Sequence, residues 1–166
     1  MKQLMLAFAC LISLKAVSQT PYTYSNDGSS VILNGMISKY ILLNDSSFTW
    51  YKPSISVYSP SAEVVQAMSG ASENTSIILF GGTWCEDTQN ILPKFFTIQE
   101  KSGFPDSRIS FFGTDRNKKV IGNIAKVMGI TNVPTIIVLK DGKEVGRVVE
   151  YGKTGKWDEE LAALLK

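Results

Sequence analysis

The stretch Phe80–Pro93, FGGTWCEDTQNILP, decides the fold. It follows the run SIILF, whose β-branched and apolar residues are typical of a buried strand. The glycines after this run predict a loop, and the residues from about Cys85 to Gln99 predict a helix. A helix that starts directly after a central strand points its N-terminus out of the edge of the sheet. We therefore expect Cys85 at or near an exposed helix start.

A cysteine at a helix start has a physical reason to be reactive. Free backbone N–H groups and the helix dipole stabilise a thiolate there and lower the cysteine pKa. Glu86 and Asp87 follow Cys85 in the first turn, and their negative charge opposes ionisation of the thiol. We expect them to modulate the pKa of Cys85, with a modest lowering as the net result. Trp84 would supply a flat apolar surface beside the sulfur.

Strand and helix patterns alternate through the rest of the chain from Pro60. In chain order they predict a helix over 61–70, the strand and helix around Cys85, a strand over 108–115, a helix over 118–129, a strand hairpin over 135–152 and a helix over 157–166. This order predicts an α/β fold in which helices cover both faces of a sheet that ends in an antiparallel hairpin.

Residues 19–59 are rich in Ser, Tyr, Asn and Pro, and their periodicity is weak. They contain two apolar patches, Val31–Leu33 and Ile37–Leu43, and then a strand-like Phe48–Tyr51. We interpret 19–59 as an N-terminal extension that packs on a main domain formed by residues 60–166.

The first 18 residues have the pattern of a signal peptide. Lys2 is followed by an apolar stretch, Leu4–Leu14, and by the small-residue cleavage site Ala16–Ser18. We expect cleavage after residue 18 or 19, secretion across the inner membrane and a periplasmic or extracellular protein. Only a short apolar run precedes Cys10, which does not favour a lipoprotein. No apolar run of about 18 residues or more predicts stable membrane insertion.

Composition excludes several classes of function. The chain has 17 Lys and Arg against 15 Asp and Glu, and loss of Lys2 and Lys15 with the leader leaves 15 of each. Such a balance does not favour a nucleic-acid partner. With no histidine, a cysteine–histidine pair and a histidine-based zinc site are excluded, and we expect no metal and no cofactor. Cys85 is the single cysteine after the leader, so an intrachain disulfide is excluded while a disulfide-linked dimer is open.

The segment GITNVPT, Gly129–Thr135, supplies a second part of the site. A proline just before a buried strand occupies a special turn, and a cis Val133–Pro134 bond fits this position. If the strand that begins at Thr135 neighbours the strand that ends near Phe80, this turn faces Cys85. The exposed backbone of Val133 would then pair with an extended peptide.

Together these motifs resemble the thioredoxin family. The resemblance covers 61–166 and rests on Trp84–Cys85 after a strand, Pro93 in the following helix, Val133–Pro134–Thr135 before the next strand, Asp115 and Asn117, Gly129–Ile130 and the turn Lys140–Gly142. It implies a thioredoxin-like three-layer α/β/α sandwich with a mixed central sheet and an N-terminal extension. It also implies that Cys85 is the attacking thiol, with Trp84, Val133, Pro134 and Thr135 as substrate-binding residues.

Two departures from the family pattern bear on function. Thr88 stands where thioredoxins carry their second cysteine, and Leu79 stands where many carry a buried acid. The dithiol cycle is therefore not implied, and the chain looks like a monothiol variant of secreted bacterial type.

We predict thiol–disulfide exchange, isomerase-like or by reduction of mixed disulfides, with Cys85 and Thr88 as catalytic residues and Thr88 hydrogen-bonded to the thiolate. The expected partners are protein or small-molecule thiols and disulfides. The alternative is a redox-inactive module that binds a polypeptide partner, and a further alternative is peroxide sensing through a sulfenic acid.

Overall fold

A computed structural model describes residues 21–166. The predicted leader and Cys10 lie outside these residues. The described part contains six strands, β1 (Tyr22–Asn26), β2 (Val31–Ile37), β3 (Thr75–Gly81), β4 (Ile109–Gly113), β5 (Thr135–Lys140) and β6 (Lys143–Val149). Its six α-helices are α1 (Lys39–Asn44), α2 (Tyr51–Ser56), α3 (Ala62–Ser69), α4 (Glu86–Ser102), α5 (Ile124–Val127) and α6 (Trp157–Leu165).

The six strands form one mixed sheet in the order β1-β2-β4-β3-β5-β6. β3 lies in the interior of the sheet, parallel to β4 and antiparallel to β5. In its register with β5, Phe80 lies opposite Thr135. The end of β3 and the start of β5 are therefore neighbours, as the predicted site requires.

Apolar cores cover both faces of the sheet. Along β3, Ile77 and Leu79 point to one face, while Ile78 and Phe80 point to the other. The first face packs against α2, α3, α4 and α6. The second packs against α5 and the loop 114–134. The predicted α/β/α sandwich with a mixed sheet is confirmed. Among the helices of residues 21–166, none is both long and apolar enough to cross a membrane.

The N-terminal segment enlarges the sheet. β2 pairs antiparallel with β4, and β1 pairs antiparallel with β2 at the edge. The predicted strand at Phe48–Tyr51 is wrong, because these residues form a turn that leads into α2. The N–H of Tyr51 donates to the carbonyl of Phe48, and both rings are buried in the larger core. The division between residues 19–59 and 60–166 stays a prediction.

The predicted helix over 118–129 is wrong for most of its length, since only Ile124–Val127 is helical. The carboxylate of Asp115 accepts two backbone N–H groups of the turn that follows it, which favours a turn over a helix. Lys118 and Gly122 have φ of 60° and 77°, in the left-handed region. The apolar spacing of this segment therefore reflects packing of a loop onto the sheet.

Lys39 connects α1 to the C-terminal end of α4. It is 6% exposed, and its Nζ lies 2.7 Å from Gln99 Oε1, 3.1 Å from Glu100 Oε1 and 3.2 Å from Asp106 Oδ1. Burial by itself lowers the pKa of a lysine, but hydrogen bonds to the two carboxylates outweigh it and raise the pKa of Lys39. The charged ammonium is therefore the stable form of this contact.

We expect Lys39→Met to lower the free energy of unfolding by about 1–2 kcal/mol, because Gln99 and two carboxylates lose a buried partner. Urea denaturation measures the change. The matched control is Lys52→Met, since Lys52 is an exposed lysine on the neighbouring helix α2. Equal stability of the two variants would contradict the role of Lys39.

Candidate functional site

Cys85 lies at the start of α4, as the sequence predicts. It is the N-cap residue of the helix, with extended backbone angles of φ −92° and ψ 125°. Its N–H donates to the carbonyl of Gly82 at 2.9 Å, and its carbonyl accepts the N–H of Gln89 at 2.9 Å. The side chain is half-buried. The sulfur is therefore partly accessible, and hydrogen bonds to Gly82 and Gln89 fix the backbone of Cys85.

The thiol faces the turn that precedes β5. Cys85 Sγ donates to the carbonyl of Val133 at 3.3 Å, and the Val133–Pro134 peptide bond is cis. Thr135 Oγ1 donates to the carbonyl of Asn132 at 2.7 Å, which closes the turn. A thiolate has no proton to donate, so ionisation of Cys85 leaves the Val133 carbonyl without this partner.

Thr88 does not contact the sulfur in the predicted way. Its side chain is fully buried, and its hydroxyl accepts the N–H of Gly82 at 3.2 Å. The predicted hydrogen bond to Cys85 is therefore wrong in this structure. A Cβ added at Gly81 would lie 2.9 Å from the Thr88 methyl group, so Thr88 packs against the end of β3.

Trp84 is fixed beside the thiol. Its Nε1 donates to the carbonyl of Thr114 at 2.9 Å. A Cβ added at Gly82 would lie 2.6 Å from the indole ring, so this glycine makes room for it. Arg116 and Lys118 place their charged groups 5.4 Å and 5.8 Å from the centre of the ring.

Among the predicted substrate-binding residues, Val133 contacts Cys85 and Trp84 precedes it in the chain. The expected exposure of Val133 is wrong, because Val133, Pro134 and Thr135 are all buried where β5 enters the sheet. Leu79 is a residue of β3, and its side chain is fully buried in the core. Glu86 and Asp87 occupy the first turn of α4, and their effect on the thiol stays a prediction. Within residues 21–166, His, Cys, Asp and Glu side chains form no group of three or more that could hold a metal ion.

Sequence reasoning missed Thr83, which attaches the site to the N-terminal strands. Thr83 is 2% exposed, and its Oγ1 donates to the carbonyl of Val31 at 2.7 Å. The same oxygen accepts the N–H of Leu33 at 3.2 Å. A single threonine in a loop carries no sequence signal for such a contact.

A second link joins the turn between β1 and β2 to Trp84. Asp27 Oδ2 accepts a hydrogen bond from Arg116 Nε at 2.5 Å, and Arg116 in turn lies over the indole ring. The bond to Arg116, helped by bonds from Ser29 and Ser30, holds the pKa of Asp27 well below its ordinary value.

Comparisons with known proteins agree with this geometry. A family model described as thioredoxin matches residues 49–159, which is more than half of the chain. Together the fold and the site define a thioredoxin-like protein with one thiol at the start of α4. The chain belongs to the thioredoxin family, and thiol–disulfide redox chemistry is the general function of that family.

Individual relatives are distant. A thioredoxin of Listeria monocytogenes is 28% identical over 88 residues, 53% of this chain and 81% of that protein. A TPR repeat-containing thioredoxin of Arabidopsis thaliana is 30% identical over 111 residues, 65% of this chain but only 27% of that protein. The crystal structure of thioredoxin f from spinach chloroplast has 25% identity and a TM-score of 0.40, covering 58% of this chain and 73% of that chain.

We expect Thr83→Val to lower the free energy of unfolding by about 1–3 kcal/mol, because it leaves a half-buried carbonyl of Val31 and a buried N–H of Leu33 without this partner. Thr83→Ser keeps the hydroxyl and serves as the control, which should lose much less. Urea denaturation followed by fluorescence measures both. If the two variants were equally stable, the hydroxyl would have no anchoring role.

We expect the stability difference between the wild type and Asp27→Asn to be larger at about pH 7 than at about pH 3. A carboxyl with a depressed folded pKa contributes stability above its unfolded pKa, about 4, and loses it as the pH falls through the folded value. Urea denaturation at both pH values measures the difference. The control is Glu73→Gln, an exposed carboxyl without an ion pair in residues 21–166. A difference for Asp27→Asn that does not change with pH would contradict the assigned ion pair.

Proposed function

We propose that this chain is an extracytoplasmic thiol–disulfide exchange protein that works with one thiol, Cys85. The observation that carries the proposal is the half-buried Cys85 at the N-cap of α4, in contact with Val133 beside a cis proline. Backbone N–H groups at a helix start favour a thiolate, which is the form that attacks a disulfide. The half-buried Trp84 would form the wall that a substrate contacts, and the buried turn 133–135 would hold the thiol in place.

The proposed reaction begins with attack of the Cys85 thiolate on one sulfur of a substrate disulfide. A bond forms between Cys85 and that sulfur, and the substrate's own S–S bond breaks. The departing sulfur keeps the electron pair of the broken bond and takes a proton from solvent. The product is a mixed disulfide between Cys85 and the substrate.

Val133 has a role in this step. Ionisation of Cys85 frees the Val133 carbonyl. Val133 is itself buried, so the N–H of an extended substrate chain would reach this oxygen from the side of the half-buried Cys85. The substrate would therefore replace the S–H group as donor to the same oxygen. This exchange of donors couples formation of the reactive thiolate to substrate docking.

Release requires another thiol, because Thr88 is not one. If the freed thiol of the substrate attacks a second disulfide of the same substrate, another thiol is released there. When that thiol attacks the substrate sulfur of the mixed disulfide, the Cys85 thiolate leaves, and the disulfides are rearranged with no net oxidation. If two molecules of an external thiol attack in turn, the substrate is reduced and those two molecules leave as one disulfide. The proposed partners are accordingly protein or small-molecule thiols and disulfides.

A redox-inactive module that binds a polypeptide partner is the second candidate function. It is favoured by the residue types at positions 88 and 79, because a threonine and a leucine can supply neither the thiol nor the proton for release. Mutation separates the two functions. Loss of exchange in a folded Cys85→Ser variant supports the enzyme. A wild type without exchange activity and a variant with unchanged partner binding support the module.

We expect Thr88→Cys to convert a persistent mixed disulfide into one that resolves within the chain. Two cysteines three residues apart at a helix start lie within disulfide reach, so the second thiol can expel the substrate. Reaction with a cysteine peptide that carries an activated disulfide, followed by non-reducing mass analysis, measures the adduct. The control Thr88→Ser should keep the adduct as the wild type does. A wild-type adduct that disappears without added thiol would contradict the proposed need for an external thiol.

The proposed location rests on the leader pattern of residues 1–18. Mass analysis of the protein taken from its own cell envelope, without reduction, should find a chain that begins near residue 19 or 20. A chain that keeps its first residues, or one that carries lipid on Cys10, would contradict the proposal. The same spectrum distinguishes a free thiol, a small-thiol adduct, a trapped protein and a dimer through Cys85.

A further inference from the structure

A groove rich in lysine lies in the loop between β4 and β5. It has a volume of about 320 Å³, and its walls include Lys118, Lys119, Lys126 and Ile130. We call it the basic groove. None of its lining residues is acidic. The thiol chemistry above does not use it.

The positive charge of the basic groove is unbalanced. Lys118, Lys119 and Lys126 form no ion pair within residues 21–166. The nearby carboxylate of Asp115 accepts backbone N–H groups of its own turn and keeps its negative charge. The neighbouring Arg116 is paired with Asp27. Three lysines beside one carboxylate leave a net positive charge that attracts an anionic group.

The basic groove and the thiol lie on the same side of the sheet. Ile130 packs on the same small core as Cys85, Trp84 and Val133. Lys118 places its ammonium 5.8 Å from the centre of the Trp84 ring, and Trp84 directly precedes Cys85 in the chain. A substrate chain bound at Cys85 and passing over Trp84 would therefore approach Lys118.

Exposed apolar side chains near the groove favour a polypeptide over a small anion. Ile121 is 52% exposed and Val127 is 77% exposed, both within the same loop. A mixture of cations and apolar side chains matches a peptide that carries carboxylates and apolar groups together.

We propose that the basic groove selects substrates whose reactive cysteine is flanked on one side by an acidic polypeptide segment. The inference rests on the proposed exchange at Cys85 and names the substrate class of that site. Glu86 and Asp87 lie on α4, outside the groove, and would repel acidic residues placed on the other side of the substrate cysteine. The rate of reaction with Cys85 should therefore depend on whether the acidic residues come before or after the substrate cysteine.

Peptides with one cysteine in an activated disulfide test this specificity. The probe carries a thionitrobenzoate leaving group, so that attack by Cys85 forms the peptide adduct and releases the coloured thiolate. Acidic residues are placed either before or after the cysteine, and matched neutral and basic peptides serve as references. At about 0.02 M salt, one acidic order should react about fivefold faster than the neutral peptide. At about 0.5 M salt this advantage should disappear.

The variant for the test replaces Lys119 and Lys126 by Gln and keeps Lys118, because the ammonium of Lys118 lies over Trp84. The control replaces Lys101 and Lys140 by Gln, which removes the same charge at the far ends of α4 and β5. The groove variant should lose the preference for the acidic peptide and keep its rate with the neutral one. The control should keep the preference.

The outcomes separate the two proposals. If the neutral peptide reacts but neither acidic order is faster, the specificity is overturned and the exchange function stands. If no peptide reacts with Cys85, both proposals fall. If the preference is absent and the wild type, but not the groove variant, binds anionic phosphatidylglycerol vesicles, the groove serves a membrane surface and the inference is overturned.

Discussion

The antiparallel pairing of β3 with β5 is the constraint on which the site depends. Phe80 lies opposite Thr135, so the loop that leads to Cys85 and the turn that ends at Pro134 emerge side by side. A slip of one residue would turn the apolar side chains of a strand to the wrong face. Because both faces of β3 and β5 are buried, packing on both sides holds this register. The contact between Cys85 and Val133 follows from it.

The N-terminal segment contributes strands to the same sheet that carries the site. β2 pairs with β4, Thr83 bridges the backbone of β2, and Lys39 joins α1 to the end of α4. These are contacts of buried polar groups, whose partners are costly to remove. The thiol loop is consequently supported by residues that a minimal sandwich of residues 60–166 would not contain.

The chemistry of the site is set by which groups are near the sulfur and which are not. A carbonyl acceptor and an indole ring are close, whereas Thr88 is turned into the loop and Leu79 into the core. In the proposed exchange, such a site would hold a mixed disulfide until another thiol releases it. Under this proposal, the residues that flank the substrate cysteine would govern the reaction more than they do for a dithiol enzyme.

Local signals in the sequence were enough to predict the strand before Cys85, the start of α4, the turn at Pro134 and the final hairpin. Helix caps, prolines and the periodicity of apolar side chains act within a few residues, so a short stretch of sequence contains them. The same signals failed at Phe48–Tyr51 and over 118–129, where packing on the core overrides local preference. Tertiary structure alone decided the bond of Thr83 to Val31, 52 residues away, and that of Arg116 to Asp27, 89 residues away. Such contacts depend on how the strands assemble into one sheet, and no short stretch of sequence encodes that order.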